Sequence, residues 1–147
     1  MKGIVCKVCG FIAIDGNAPE NCPVCHAPKS AFEEKEDALK TLTDPADLTD
    51  LEKKHIPEIT IVKTCGLIPE GCQDVHVKLG EIQHPMQPEH YIVYIDFYLD
   101  NGFISRVHLT PEKLNPAAAL HLKVVSGKLS AVAFCNVHGA WINSKDL

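Results

Sequence analysis

The sequence predicts a mainly β protein in which a small four-cysteine metal knuckle precedes an antiparallel β-sandwich. Two Cys-x2-Cys pairs among the first 25 residues predict the knuckle. Short alternating apolar runs, each bounded by Gly, Pro, Asn or Asp, recur from Ile56 onward and predict the sandwich. Asp100-Asn101-Gly102, between two of those runs, is a hairpin signal, because a type I′ turn needs positive φ at both central residues. With 147 residues, 46% of them hydrophobic and 22% charged, the chain has material for one core and a small satellite.

Residues 1–35 form the first expected domain. They hold Cys6, Cys9, Cys22 and Cys25 with Gly10, Gly16, Pro19, Pro23 and Pro28, and too few large apolar side chains to bury a core unaided. A short helix and a linker are expected to follow over residues 36–52. The helical pattern starts in SAFEEKEDALKTLT, where Phe32, Ala38, Leu39 and Leu42 stand near helical spacing and Ser30 with Glu33 offers a capping box. DPADLTDLEKK then reads as linker, with at most one helical turn. Residues 53–147 make the sandwich domain. EITIVK, DVHVKLG, YIVYIDFYL, FISRVHLT, AAALHLKVV and KLSAVAFC read as strands, and Ser126-Gly127 marks a second turn. Hairpins at this spacing without helical partners favour a sandwich over a parallel sheet.

The formal net charge is −5, from 14 Lys and Arg against 19 Asp and Glu. Without a basic stripe, nucleic acid is not an expected partner. No apolar run approaches the roughly 20 residues of a membrane span. The start MKGIVCKVCG lacks the apolar stretch of a signal peptide, so the expectation is a soluble, cytoplasmic protein with no membrane partner. Seven cysteines in such a chain point to metal ligation or redox chemistry ahead of paired disulfides.

Cys6-Lys7-Val8-Cys9-Gly10 and Cys22-Pro23-Val24-Cys25 can each place two thiolates on one ion, with Gly10 letting the chain leave at positive φ. Four thiolates in a tetrahedron suit Zn or a single Fe. The text CKVCGFIAIDGNAPENCPVCHAPKSAF resembles the rubredoxin-like domains of rubrerythrin-type proteins over residues 4–32. That resemblance implies iron. His26 follows a complete set of four sulfurs and is read as a bystander.

Three further fragments carry possible ligands: Lys54-His55-Ile56-Pro57, His84-Pro85-Met86 with His90-Tyr91-Ile92, and Cys135-Asn136-Val137-His138-Gly139. HPMQPEH is too polar for core, and Pro85 with Pro88 stiffens it, which suits a preformed coordination sphere. Cys135 and His138 close a strand as a compact pair of ligands. In this order and spacing, KHIP, HPM, EHYI and CNVHG resemble the superoxide reductases, also called neelaredoxins and desulfoferrodoxins, over roughly residues 50–142. The resemblance implies an immunoglobulin-like sandwich carrying a mononuclear iron with four equatorial histidines and one axial cysteine. By motif these are His55, His84, His90, Cys135 and His138. Independently of the family, four neutral imidazoles and a thiolate leave one position of a six-coordinate ion free for a small ligand.

The activity so implied is one-electron reduction of superoxide to hydrogen peroxide without release of dioxygen, in a detoxifying enzyme re-reduced by an external donor such as rubredoxin. A homodimer or homotetramer is the expected assembly. Lys54 matches the family's lysine beside the open position, where a cation attracts the anionic substrate. One departure stands out: the family's glutamate before that lysine is replaced by Lys53, with Glu52 one residue earlier.

Two other readings use the same residues. A cupredoxin-like electron carrier would need a weak axial ligand, usually a Met soon after Cys-x2-His, and only Met86 is near in the sequence. A structural zinc protein would fill both sites without catalysis. His76 and His108 alternate with apolar neighbours and are expected at the surface, and His121 receives no role. Cys65 and Cys72 are expected as free thiols, and Tyr91 and Trp141 as packed aromatics.

Overall fold

The computed structural model describes residues 1–147. The N-terminal unit is a three-stranded antiparallel sheet in the order β2-β1-β3, from β1 (Gly3–Cys6), β2 (Ile12–Ala13) and β3 (Phe32–Lys35). The helix α1 (Asp50–His55) leads into the sandwich, whose strands are β4 (Pro57–Val62), β5 (Gln73–Leu79), β6 (Ile92–Leu99), β7 (Gly102–His108), β8 (Ala117–Leu122), β9 (Lys128–Cys135) and β10 (Gly139–Asp146). One sheet runs β10-β9-β6-β7 and the other β4-β5-β8, all neighbours antiparallel. These seven strands in two sheets are the sandwich that the alternating runs predicted.

Alternation explains which face each strand buries. On β5, Val75, Val77 and Leu79 enter the core while His76 and Lys78 face out. β6 is different, because its apolar run is nearly continuous and both of its faces are covered. Ile95 and Phe97 join Val75, Val77, Leu79, Leu129, Ala131 and Ala133 in the core between the sheets. Tyr98, with Val132 of β9, faces the other way into a second core shared with Val5, Phe11, Ile12 and Leu39 of the N-terminal segment. The small unit therefore borrows from the sandwich the burial it cannot supply itself.

Polar contacts fix that docking. Tyr98 donates its hydroxyl to the Ile12 carbonyl (2.8 Å), and Tyr94 donates to that of Gly10 (3.1 Å). Arg106, paired through two N–H groups with the fully buried Asp96, donates a third to the Cys9 carbonyl at 2.8 Å. Its guanidinium also lies 3.6 Å from the centre of the Tyr94 ring.

Three expectations need correction. The segment starting at Ser30 does not form a helix: Lys29–Ala31 is a 3-10 turn without a side-chain cap, and Phe32–Lys35 pairs with β1. Phe32 reaches an edge-to-face contact with Phe11 along the strand (6.2 Å, 86°), so tertiary packing overrides the local capping pattern. The helix forms instead over Asp50–His55, where Thr49 and Glu52 make the capping box. In the hairpin, Asp100 and Asn101 carry the positive φ (49° and 67°) and Leu99 pairs with Gly102, one residue earlier than an Asn-Gly turn. GAWINSKD, not anticipated as a strand, is β10 and pairs with β9 from Gly139↔Cys135 to Asp146↔Lys128.

Candidate metal centre

The cysteines of the N-terminal unit meet as the two Cys-x2-Cys pairs predict. Cys6 and Cys25 sulfurs are 3.7 Å apart and those of Cys9 and Cys22 3.5 Å. The two knuckles repeat one backbone pattern: Gly10 N–H donates to Cys6 O and His26 N–H to Cys22 O, both at 2.9 Å. Gly10 and His26 accordingly take matching left-handed φ values of 77° and 64°. A Cβ on Gly10 would meet the Tyr94 hydroxyl at 2.7 Å, so glycine is needed there for packing as well. His26 is exposed, as a bystander should be. Burial raises the Cys9 and Cys22 thiols, the penalty that a bound cation removes.

The second cluster collects residues from three places at one end of the sandwich. His55 ends α1, His84 and His90 come from the loop between β5 and β6, and Cys135 and His138 flank the turn from β9 to β10. The His loop is rigid for identifiable reasons. Met86 anchors it in the core, and Gln87 and His90 exchange two backbone hydrogen bonds of 3.0 Å across Pro88-Glu89. Asn136 ties it to the last turn, accepting from Tyr91 N–H (2.9 Å) and donating to Glu89 O (3.1 Å). Asn136 had no sequence signal beyond its place between two ligands.

The four imidazoles stand in a square. Neighbouring centroids around the circuit His55, His84, His90, His138 are 4.6, 4.7, 5.0 and 4.7 Å apart at steep interplanar angles of 79°, 80°, 63° and 77°. His55 and His90 face each other across it at 6.1 Å and 27°. Donors from His55, His90, Cys135 and His138 lie within 4.8 Å of one another, and His84 Nε2 is 3.1 Å from His55 Nε2.

Proton positions follow from the hydrogen bonds. His55 Nδ1 lies 2.7 Å from Leu51 O and His84 Nδ1 2.7 Å from Pro85 O. Carbonyls only accept, so both Nδ1 atoms carry the proton and both Nε2 atoms present lone pairs. Two lone pairs 3.1 Å apart repel unless a cation lies between them. His90 Nε2 is likewise buried with no partner. Burial lowers His55 and His84 to a pKa of about 4 and also lowers His138, which keeps the rings neutral at pH 7. Cys135 is fully buried and its sulfur accepts from His138 N–H at 3.4 Å. An orphaned nitrogen, facing lone pairs and a buried sulfur match an iron bound by imidazole and thiolate.

Among the cations, Lys54 is exposed on the last turn of α1 and Lys53 is half-buried. Lys40 is the one that makes contact with the cluster. Its ammonium donates to the His138 carbonyl and lies 5.5 Å from the centre of the Trp141 ring, which stacks on His55 at 5.1 Å. Sequence reading overlooked it, since 98 positions separate it from His138. Glu52 turns away from the cluster: its carboxylate accepts from Thr43 N–H (2.6 Å) and from Thr49 N–H and Oγ1 (both 2.8 Å). Those donors hold it well below the usual carboxylate range, at about 2. Met86 packs in the sandwich core, which leaves the copper reading without its axial ligand. His76 and His108 are exposed as expected, Trp141 is buried and Tyr91 packs partly against the core. Cys65 and Cys72 lie apart from both clusters, beside His121.

Comparison with known proteins agrees with this geometry. The family model for desulfoferrodoxin matches residues 47–144, and that for the rubredoxin-like domain of rubrerythrin matches residues 5–33. A desulfoferrodoxin homolog of Archaeoglobus fulgidus is 35% identical over 141 residues, covering 96% of this chain and 94% of that protein. The superoxide reductase of Pyrococcus abyssi is 36% identical over 106 residues, covering 65% of this chain and 88% of its own length. Among solved structures, the reduced superoxide reductase (neelaredoxin) of Archaeoglobus fulgidus superposes with a TM-score of 0.58 at 27% identity, covering 76% of this chain and 98% of that one. No helix is long and apolar enough to cross a membrane. With the match to the family model spanning α1 and nearly all of the sandwich, the chain belongs to the desulfoferrodoxin family.

Proposed function

We propose that the protein is a superoxide reductase whose iron is held by His55, His84, His90 and His138 with Cys135. The supporting observation is the square of four imidazoles, with the Nε2 lone pairs of His55 and His84 facing each other, beside a buried cysteine. Iron held by these five residues would supply one electron to superoxide. The reaction balances as superoxide plus one electron plus two protons giving hydrogen peroxide. The chain's own contribution is electrostatic and steric. Lys40, on the His138 carbonyl and near the Trp141 ring, and Lys54, next to His55, add positive potential that draws the anion in. Trp141 covers one face of His55 and keeps water from it. Leu51 O and Pro85 O hold two rings in the ligating tautomer. Glu52, engaged in the helix cap, is not a sixth ligand in this arrangement.

Residues 1–35 then carry the four-cysteine centre, with Cys6, Cys9, Cys22 and Cys25 holding iron or zinc, and residues 53–147 carry the reaction. The electron comes from a donor outside the chain, for which a rubredoxin-type protein fits. Homodimeric or homotetrameric assembly and a cytoplasmic setting complete the proposal.

His90→Ala tests it. The expected outcome is loss of the β-domain iron absorption and of superoxide consumption in stopped flow, with the four-cysteine absorption intact. Hydrogen peroxide should form at one per superoxide with no dioxygen, which distinguishes reduction from dismutation. Superoxide reduction at the unmodified rate in the variant would overturn the ligand assignment.

A further inference from the structure

Away from both centres, Cys65, Cys72, Asp74 and His121 each bring one donor atom into a cluster whose members all lie within 4.8 Å of one another. The topology assembles it. Asp74 on β5 and His121 on β8 are directly opposite in the sheet. Cys72 precedes β5 by one residue, and Cys65 returns from the segment 63–72 that joins β4 to β5. His121 Nδ1 is 2.8 Å from Asp74 Oδ1, 3.3 Å from Cys65 Sγ and 3.7 Å from Cys72 Sγ, and Cys72 Sγ is 3.8 Å from that carboxylate oxygen.

The three separations that involve sulfur resemble the edges of a coordination tetrahedron, whereas the 2.8 Å between His121 and Asp74 is that of an ion pair. Metal–sulfur bonds of about 2.3 Å and metal–nitrogen or –oxygen bonds of about 2.0–2.1 Å give edges of roughly 3.3–3.8 Å. The four-cysteine knuckle of this same molecule has edges of 3.5 and 3.7 Å. Hydrogen bonding alone does not account for the convergence. Nδ1 has either one proton or one lone pair, yet two sulfurs and a carboxylate oxygen crowd it. An ion at the centre uses all four donors at once.

A second feature is independent of the side-chain distances. Leu67 N–H and Ile68 N–H both point at Cys65 Sγ, each at 3.4 Å. Two backbone donors on one sulfur stabilise a thiolate. A free thiol in a surface loop has no need of them.

We propose that Cys65, Cys72, Asp74 and His121 form a third metal site that takes Zn²⁺. Two thiolates, an imidazole and a carboxylate suit a borderline-soft d¹⁰ ion in tetrahedral geometry. All four positions are filled by protein, so the site is structural. It clamps the loop carrying the exposed Leu67 and Ile68 to the outer face of the β4-β5-β8 sheet. The redox chemistry of the other two centres is not involved.

The test uses the full chain with its iron centres loaded, titrated with ZnCl2 against a chromophoric chelator. Wild type should bind one zinc that Cys65→Ser and His121→Ala bind at least about 100-fold more weakly. The His121 side chain is 41% exposed, so its truncation leaves the fold in place, and unchanged visible spectra of both iron centres verify this. Equal zinc binding by wild type and both variants overturns the proposal. So does an unreduced wild-type chain, purified with zinc present, that is two hydrogens lighter because Cys65 and Cys72 have joined in a disulfide.

Discussion

Lys40 shows what a motif cannot reveal. The five proposed ligands were legible because each sits in a short fragment, KHIP, HPM, EHYI or CNVHG, whose local chemistry is visible within a few residues. Lys40 lies in no such fragment. It reaches the site because its backbone bridges to β10, donating to Ala140 O and accepting from Ile142 N–H, both at 2.9 Å. With His138 and Trp141 in contact, its charge acts on the cluster from close range. Lys40→Ala is expected to lower the second-order rate with superoxide by about tenfold and to flatten its dependence on ionic strength, with Lys40→Arg retaining both. Stopped-flow rates across a salt series measure this. An unchanged salt slope in the alanine variant would assign the steering to other cations such as Lys54.

The helix α1 is the element on which sequence reading and structure part most clearly, and the reason is competition between two capping patterns. Ser30-x-x-Glu33 and Thr49-x-x-Glu52 both satisfy the local rule. At the first, pairing with β1 claims Phe32–Lys35; at the second no strand competes, so the box closes and Glu52 becomes part of it. Glu52 thereby positions His55 three residues on. Nothing in one sequence tells which pattern tertiary pairing will override. The other end of α1 is held by Gly80, whose φ is 85° and whose missing side chain lets Lys53 O accept from Ile82 N–H at 3.0 Å. A Cβ there would lie 2.5 Å from the carbonyl oxygens of Lys53 and Ile82. Gly80→Ala is therefore expected to destabilise the fold by about 2 kcal/mol or more and to loosen His55. Denaturant midpoints and iron retention against a chelator check it. A variant with wild-type values on both counts would mean that the α1 end does not depend on this contact.

At the scale of the chain, the sequence predicted two units joined by a linker, whereas the structure joins them through a shared core and hydrogen bonds from Tyr94, Tyr98 and Arg106. The linker reading came from composition, which records charge and proline but not the second face of a strand. YIVYIDFYL looked like one sandwich strand, although its continuous apolar character already implied cover on both sides. Arg106 is central to that cover, because it compensates Asp96 and also satisfies the Cys9 carbonyl beside the four-cysteine centre. Arg106→Ala should cost about 3–5 kcal/mol, since it leaves a buried carboxylate unpaired. Replacing both partners with apolar residues, Asp96→Leu with Arg106→Met, separates the two roles. The double variant removes the uncompensated charge, so the sandwich should regain most of its stability in denaturant. Cys9 O would still lack its donor, so the N-terminal unit should remain loosely docked, with faster proteolysis between residues 36 and 49 and faster metal loss from the four-cysteine centre. Full recovery of both readouts in the double variant would show that the shared apolar core alone seats the knuckle.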